Sequence, residues 1–220
     1  FGNTEIFFPD KEILKVRSLL KRFDKVSVRE FEAVDICRDK FSVSATQVLD
    51  PVFLCDKSHW VKMAESANRK TQGKFLFSYL LDPNEEKAEL LRYTARKLGL
   101  QLVTVTDNQF NHEQKENILR NYGLISNATI EEVIYHLLNA KFIISDSYHG
   151  ICFSLIFNKQ FIAITSRIRN DARFATLSKL FNINDRLLYD FSTILERKDL
   201  LDKKINYNIW DNSLSGIIKF

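Results

Sequence analysis

Short apolar runs alternate along this chain with longer stretches in which apolar residues recur every three or four positions. The runs at 25–29, 74–81, 100–106, 141–145 and 160–164 are rich in β-branched and aromatic residues and predict strands. The longer stretches at 11–23, 30–39, 58–68, 84–98 and 129–139 predict helices. Thr129 and Glu132 have the spacing of a capping box, and Gly99 follows Leu98 where a helix end favours a left-handed residue. Beyond the last strand the pattern is helical again, at 171–181 and 191–202. Regular alternation of strand and helix predicts an α/β fold: a mainly parallel sheet of about five strands, covered on both faces. One Rossmann-like domain over residues 1–220 is expected, with 187–220 as a helical tail. The chain opens on Phe1-Gly2-Asn3, a polar turn leading into a helix, which is an unusual start for a doubly wound domain and predicts a segment upstream.

Composition narrows the function classes. With 45% apolar and 27% charged residues in 220, the chain can bury a sizeable core. It holds no apolar run of about 18 residues, the length a membrane span needs, and no secretion signal opens it, so a cytoplasmic protein is expected. Cys37, Cys55 and Cys152 are few and far apart, which predicts reduced thiols without a disulfide or a zinc site. The net charge of +4 is mild, and bases interleave with acids, as in Asn84-Glu85-Glu86-Lys87-Ala88-Glu89. A nucleic-acid groove wants a denser basic stripe. Most of the eighteen phenylalanines sit inside apolar runs and read as core. Anionic small molecules stay open as ligands, since one or two aimed arginines suffice for them.

The densest candidate chemistry is Lys-Phe-Ile-Ile-Ser-Asp-Ser-Tyr-His-Gly at 141–150, directly before the apolar run 151–157. It reads as a buried strand, a polar turn and a helix start, the place where ligands bind in parallel sheets. His149 is the candidate acid or base, beside Gly150, which allows close backbone approach. Asp146 orients the imidazole or caps the helix, a supporting role in either case. Arg29 also ends a predicted strand, so a single sheet would bring it to the same rim as His149; the plain alternative is a surface pair with Glu30 or Glu32. Arg167, Arg169 and Arg173 follow the last strand and either clamp an anion or form a solvated helix entry. Asp50-Pro51 and Asp82-Pro83 read as chain reversals. His59, His112 and His136 read as surface residues. The sequence contains no glycine-rich nucleotide loop and no metal-spaced cluster, so no metal or cofactor is expected.

Taken together, these blocks resemble the polysaccharide pyruvyl transferase family. The matching segments are F-G at 1–2, F-D-K-V-S-V-R-E at 23–30, V-L-D-P-V-F-L at 48–54, S-D-S-Y-H-G at 145–150, D-A-R at 171–173 and D-R at 185–186. The resemblance implies one half of a two-domain enzyme similar to the GT-B glycosyltransferases, here the carboxyl-terminal half with its upstream domain absent. It implies transfer of the enolpyruvyl unit of phosphoenolpyruvate to a sugar or lipid-linked saccharide, close to the membrane surface but without a span. Family members contact phosphoenolpyruvate at positions that correspond to Arg29 and to Ser147, Tyr148 and His149. Some carry Arg-Leu-His at the turn where this chain has Ser-Tyr-His, which leaves Arg167, Arg169 or Arg173 to supply the missing charge. The isolated half is expected to bind donor without full turnover.

Two other readings compete. A GT-B-like glycosyltransferase would place a nucleotide sugar at the same rim, and a domain of the same fold could bind without catalysing.

Overall fold

A computed structural model describes residues 9–107, 112–165, 172–190, 192–197 and 199–207. Arg167 and Arg169 lie outside them. Along the chain the helices and strands are α1 (Asp10–Leu20), β1 (Ser27–Val28), α2 (Phe31–Asp39), β2 (Thr46–Gln47), α3 (Lys57–Glu65), β3 (Phe75–Leu80) and α4 (Glu85–Leu98). There follow β4 (Gln101–Thr106), α5 (His112–Leu119), α6 (Ile130–Asn139), β5 (Phe142–Ser145), α7 (Tyr148–Ile156) and β6 (Phe161–Ile164). The last are α8 (Ala172–Phe181), β7 (Leu187–Leu188), α9 (Ser192–Glu196) and α10 (Asp199–Asp202). This is the α/β class that the alternation predicts.

Where the sequence reads one domain, contacts divide the described residues into two compact units, 9–51 with 172–184 and 52–165 with 185–207. The reason lies in the first two strands. β1 and β2 are two residues each and pair in parallel only with one another. In this first unit α2 buries Ala33 and Cys37, and α8 buries Phe174, Leu177 and Phe181. The Phe31 N–H donates to Thr176 Oγ1 of α8 at 3.2 Å, and Lys179 lies over the Phe31 ring.

The second unit is built on a five-stranded, all-parallel sheet in the order β4-β3-β5-β6-β7. Both faces of β5 and β6 are buried, which is why these strands read as unbroken apolar runs rather than alternating ones. One cluster packs Leu76, Leu80, Ile144 and Ile162 against Leu90, Leu91 and Ala95 of α4. The helix ends follow their sequence signals: Gly99 caps α4 at φ 63°, and Thr129 and Glu132 close a reciprocal capping box on α6. The outer edge of β4 is not left open. Thr104 N–H donates to Gly123 O and Ile125 N–H to Thr104 O, each at 2.9 Å, so residues 123–125 cover it. Gly123 is required there: φ is 70°, and a Cβ would stand 2.1 Å from Leu102 O.

The helical tail expected from residue 187 begins instead with a strand, because Leu187 and Leu188 pair with Ala163 and Ile164. A fully buried arginine then ties the tail down. Arg186 donates to Leu200 O at 2.9 Å and Lys203 O at 2.5 Å, using carbonyls at the end of α10 that the helix leaves unpaired. No disulfide joins the three cysteines; Cys37 and Cys152 are buried and Cys55 is exposed.

Candidate functional site

The path of the chain through the larger sheet defines one special crevice. From β3 the chain crosses to β4 on one side, then returns past β3 to β5 on the other. The direction of winding therefore reverses between β3 and β5, and at such a reversal the loops beyond the strand ends part and leave room for a ligand. The loop after β3 carries Leu81 and Asp82. The loop after β5 is Asp146-Ser147, leading into Tyr148 and His149 in the first turn of α7.

Two side chains staple these loops together. Ser145 Oγ donates to Tyr79 O at 2.5 Å and accepts from Ser147 N–H at 3.0 Å. The Asp146 carboxylate accepts from Leu81 N–H at 2.6 Å, from Asp82 N–H at 3.2 Å and from Lys87 Nζ at 2.6 Å. Lys87 Nζ also donates to Asp82 O at 2.5 Å. Asp146 is thus spent on bracing β3 against β5, and the cap of α7 is Ser147, whose hydroxyl accepts from Gly150 N–H at 3.4 Å. Ser147 and Tyr148 are buried, whereas His149 is exposed, with its ring set edge-on to Tyr148 at 5.5 Å. Gly150 matters for its neighbour. A Cβ there would lie 2.5 Å from Ser145 Oγ, an atom already fixed by two hydrogen bonds. Gly150→Ala is therefore expected to cost about 1–3 kcal/mol, measured by urea unfolding, with part of the loss recovered when Ser145→Ala is added.

Further charges complete this rim. Asp107, directly after β4, pairs with Lys115 of α5 at 2.5 Å. Burial pushes the Tyr79 phenol above its ordinary range, and the Asp107 and Asp146 carboxylates push it the same way. The rim therefore presents a neutral phenol, two lysine–carboxylate pairs, an exposed imidazole and the positive end of α7. Sequence reasoning missed Tyr79, Lys87, Asp107 and Lys115. The usable signal was position, since Asp107 follows a strand end as Asp82 and Asp146 do.

Arg29 belongs to the first unit. It follows β1, so it and His149 end strands of two different sheets rather than one. The pairing with Glu30 that the sequence offers is present but long, at 4.0 Å. Arg29 Nη1 meets Asp50 Oδ2 at 2.5 Å, and Asp50 is almost wholly buried. Parallel pairing explains the meeting, because β1 and β2 end side by side and Gln47 Nε2 donates to Arg29 O at 3.1 Å. Asp50-Pro51 is thus more than a chain reversal. Arg173 sits half-buried at the start of α8, in the same unit as Arg29.

His136 departs furthest from expectation. It is fully buried rather than on the surface, bonded to Thr71 Oγ1 at 2.9 Å and to Glu132 O at 2.6 Å, and stacked on Phe77. His112 is partly buried and lies 3.3 Å from Glu116, while His59 is exposed beside Trp60.

Among the described residues, no group of three or more His, Cys, Asp or Glu is placed to hold a metal ion, and no helix is long and apolar enough to cross a membrane. Residues 5–167 match the family model described as polysaccharide pyruvyl transferase. No curated protein matches the chain. Among solved structures, the wall teichoic acid polymerase TagF in a CDPG-soaked variant matches at 12% identity and a TM-score of 0.53, covering 99% of this chain and 57% of that one. A second TagF variant matches at 12% identity and a TM-score of 0.51, covering 99% and 58%. The chain spans under two thirds of these TagF chains, and at such identity the likeness concerns the fold alone.

Proposed function

Since the chain belongs to the polysaccharide pyruvyl transferase family, we propose that it handles the donor in transfer of the enolpyruvyl unit of phosphoenolpyruvate to a saccharide. The product would be a pyruvate ketal on two sugar hydroxyls, with phosphate released. The observation that supports this reading is the placement of the exposed His149 at the winding reversal, in the first turn of α7. Phosphoenolpyruvate carries a carboxylate and a phosphate, and the N-terminal end of a helix favours such groups.

The chemistry needs a proton at the methylene carbon, which turns it into a methyl group and leaves an oxocarbenium-like neighbouring carbon. One sugar hydroxyl adds to that carbon and a second displaces phosphate. The two hydroxyl protons balance the one taken up by carbon and the one that leaves with phosphate. An imidazole, whose ring nitrogens can each hold or release a proton, suits the delivery and recovery of that proton, and His149 is the residue we assign to it. Arg29 is assigned to the donor's negative charge. Asp146 and Lys87 hold the His149 turn in place.

Thermal unfolding with phosphoenolpyruvate, set against a panel of nucleotide sugars, tests the donor. A ligand at a hundred times its dissociation constant adds about 2.7 kcal/mol, or about 5–10 °C for a chain of this size. A shift with nucleotide sugars and none with phosphoenolpyruvate would sink the proposal in favour of a glycosyltransferase. No shift with either would favour a domain that does not handle donor.

Arg29 needs a gentler substitution than alanine, because alanine would take from the buried Asp50 the guanidinium it meets at 2.5 Å. Arg29→Lys keeps a charge beside Asp50 while removing the guanidinium fork. It is expected to weaken phosphoenolpyruvate binding about tenfold, as loss of a charge-assisted hydrogen bond does. Titration calorimetry showing unchanged affinity would remove Arg29 from the site.

A further inference from the structure

The first helix has one face accounted for and another that is not. Its Ile13, Val16 and Leu20 are half-buried, and Arg17 Nη2 donates to Lys40 O at 3.0 Å, which fixes the helix to the rest of its unit. The rest of the helix surface is exposed and mixes two kinds of residue, with Leu14 and Leu19 on its two flanks. Leu14 is 61% exposed, Leu19 is 44% exposed, and Phe23, just past the helix end, is 66% exposed. These are three of the six large apolar residues that are exposed among those described. Between and beside them stand Lys11, Lys15, Lys21 and Arg22, all exposed and none paired with a described carboxylate. Residues 10–25 hold six basic and three acidic side chains, so this short stretch carries +3 of the chain's net +4.

From this juxtaposition we propose that α1 is a docking surface for an anionic lipid bilayer. The charge identifies the occupant's sign, and the apolar residues separate a bilayer from other anions. A nucleic-acid backbone or an acidic protein loop would satisfy the lysines yet leave Leu14, Leu19 and Phe23 in water. A lipid interface takes both at once: apolar side chains enter the acyl boundary while lysines lie along it with their ammonium groups among the headgroups. Eleven residues of helix reach only about 16 Å, about half a bilayer core, so the helix lies on the surface and does not span. Such a surface would bring the site to saccharides carried on a membrane. The proposal stands apart from the identity of the donor.

The test is co-sedimentation of the chain with vesicles of phosphatidylcholine, with and without phosphatidylglycerol. Binding is expected only with the anionic lipid and should weaken as salt is raised. Lys15→Glu with Lys21→Glu reverses two charges and should lower partitioning at least about thirtyfold, taking each basic residue near an anionic surface as worth about fivefold. Leu14→Ser with Phe23→Ser should lower it about tenfold or more. All four positions are exposed, and circular dichroism checks that each variant is folded. Wild-type chain that stays in the supernatant overturns the proposal, as does binding that survives both pairs of substitutions. Charge-dependent binding indifferent to Leu14→Ser and Phe23→Ser overturns it in favour of a purely electrostatic anion surface. A solution dimer dissolved by the same pair would assign the face to a second copy. Phosphoenolpyruvate binding measured on the same samples keeps this failure distinct from failure of the donor assignment.

Discussion

His149→Ala is expected to lower turnover about 10²–10⁴-fold, the range typical for loss of a proton-transfer group, while leaving phosphoenolpyruvate affinity much less affected. The split follows from the geometry. The imidazole is exposed on the first turn of α7, whereas the loops that shape the crevice are held by Ser145, Asp146 and Lys87. Loss of an exposed ring leaves those braces standing, so the stability of the variant should stay within about 0.5 kcal/mol of the parent. The measurement is phosphate release from phosphoenolpyruvate in the presence of a saccharide acceptor, followed across pH. A limb of the parent's profile that vanishes in the variant would mark the imidazole as the proton-transfer group. Turnover within tenfold of the parent, or a profile of unchanged shape, removes His149 from proton transfer. Arg29→Lys should do the opposite and weaken binding more than it slows the bound complex, so the two variants separate charge recognition from chemistry.

The second large effect concerns stability. Glu132 is almost wholly buried and accepts from Arg69 Nε at 2.8 Å, Arg69 Nη2 at 2.6 Å, and the N–H groups of Arg69 and Thr129 at 3.0 Å each. The same guanidinium reaches Ser126 O and Asn127 O at 2.8 and 2.9 Å, so one carboxylate organises the approach to both α6 and β3. The guanidinium, first among these donors, holds the carboxyl at a pKa of about 2, below its ordinary 4.5. Four hydrogen bonds, two of them from an ionised donor, depend on that charge. Glu132→Gln is expected to cost about 2–4 kcal/mol at neutral pH, tempered by the partial exposure of Arg69.

The pH dependence has a definite sign. A depressed carboxyl pKa contributes stability in full above about 4.5, and that stability drains away as pH falls towards about 2. His136 acts in the same direction from a higher starting point: burial depresses its pKa below the ordinary 6.5, so the unfolded chain takes up the proton first. Urea midpoints should therefore decline in two stages on acidification, first below about 6.5 and then below about 4.5. The gap between parent and Glu132→Gln should narrow by pH 3 relative to pH 7. A gap that stays constant would mean that the charge on Glu132 contributes nothing.

Much of the architecture was legible because long periodic segments carry their own evidence. Strands β3–β6 and the helices α1–α4, α6 and α8 fall where periodicity puts them, the run at 25–29 holds only the two-residue β1, and Gly99 and Thr129 mark real helix ends. β2 and β7 were not legible, since two residues cannot display a period, and α5 has an almost wholly polar sequence. The division into two units turned on β1 and β2, which pair only with one another. The expected single rim holding Arg29 and His149 failed for the same reason, because nothing in a local sequence states which sheet a strand joins. Buried polar residues were the other blind spot. His136 and Asp50 look like surface residues by type, and only their partners explain their burial. For His136 a signal did exist: it lies four residues after Glu132, on the face that also buries Leu137.

The order in which the chain supplies the second unit has a consequence for synthesis. β6 is complete at residue 164, yet its outer neighbour β7 begins only at 187, after the chain has laid down α8 in the other unit. While those residues emerge from the ribosome, Phe161-Ile162-Ala163-Ile164 is an open parallel edge made wholly of residues that end up buried. Such a strand, uncharged and β-prone, is a template for pairing with a neighbouring nascent chain. A stop or a pause anywhere in this interval would leave a sticky intermediate rather than a shorter working domain. The useful place to end an expressed piece lies beyond Lys203, where Arg186 has found its carbonyls and the edge is shut.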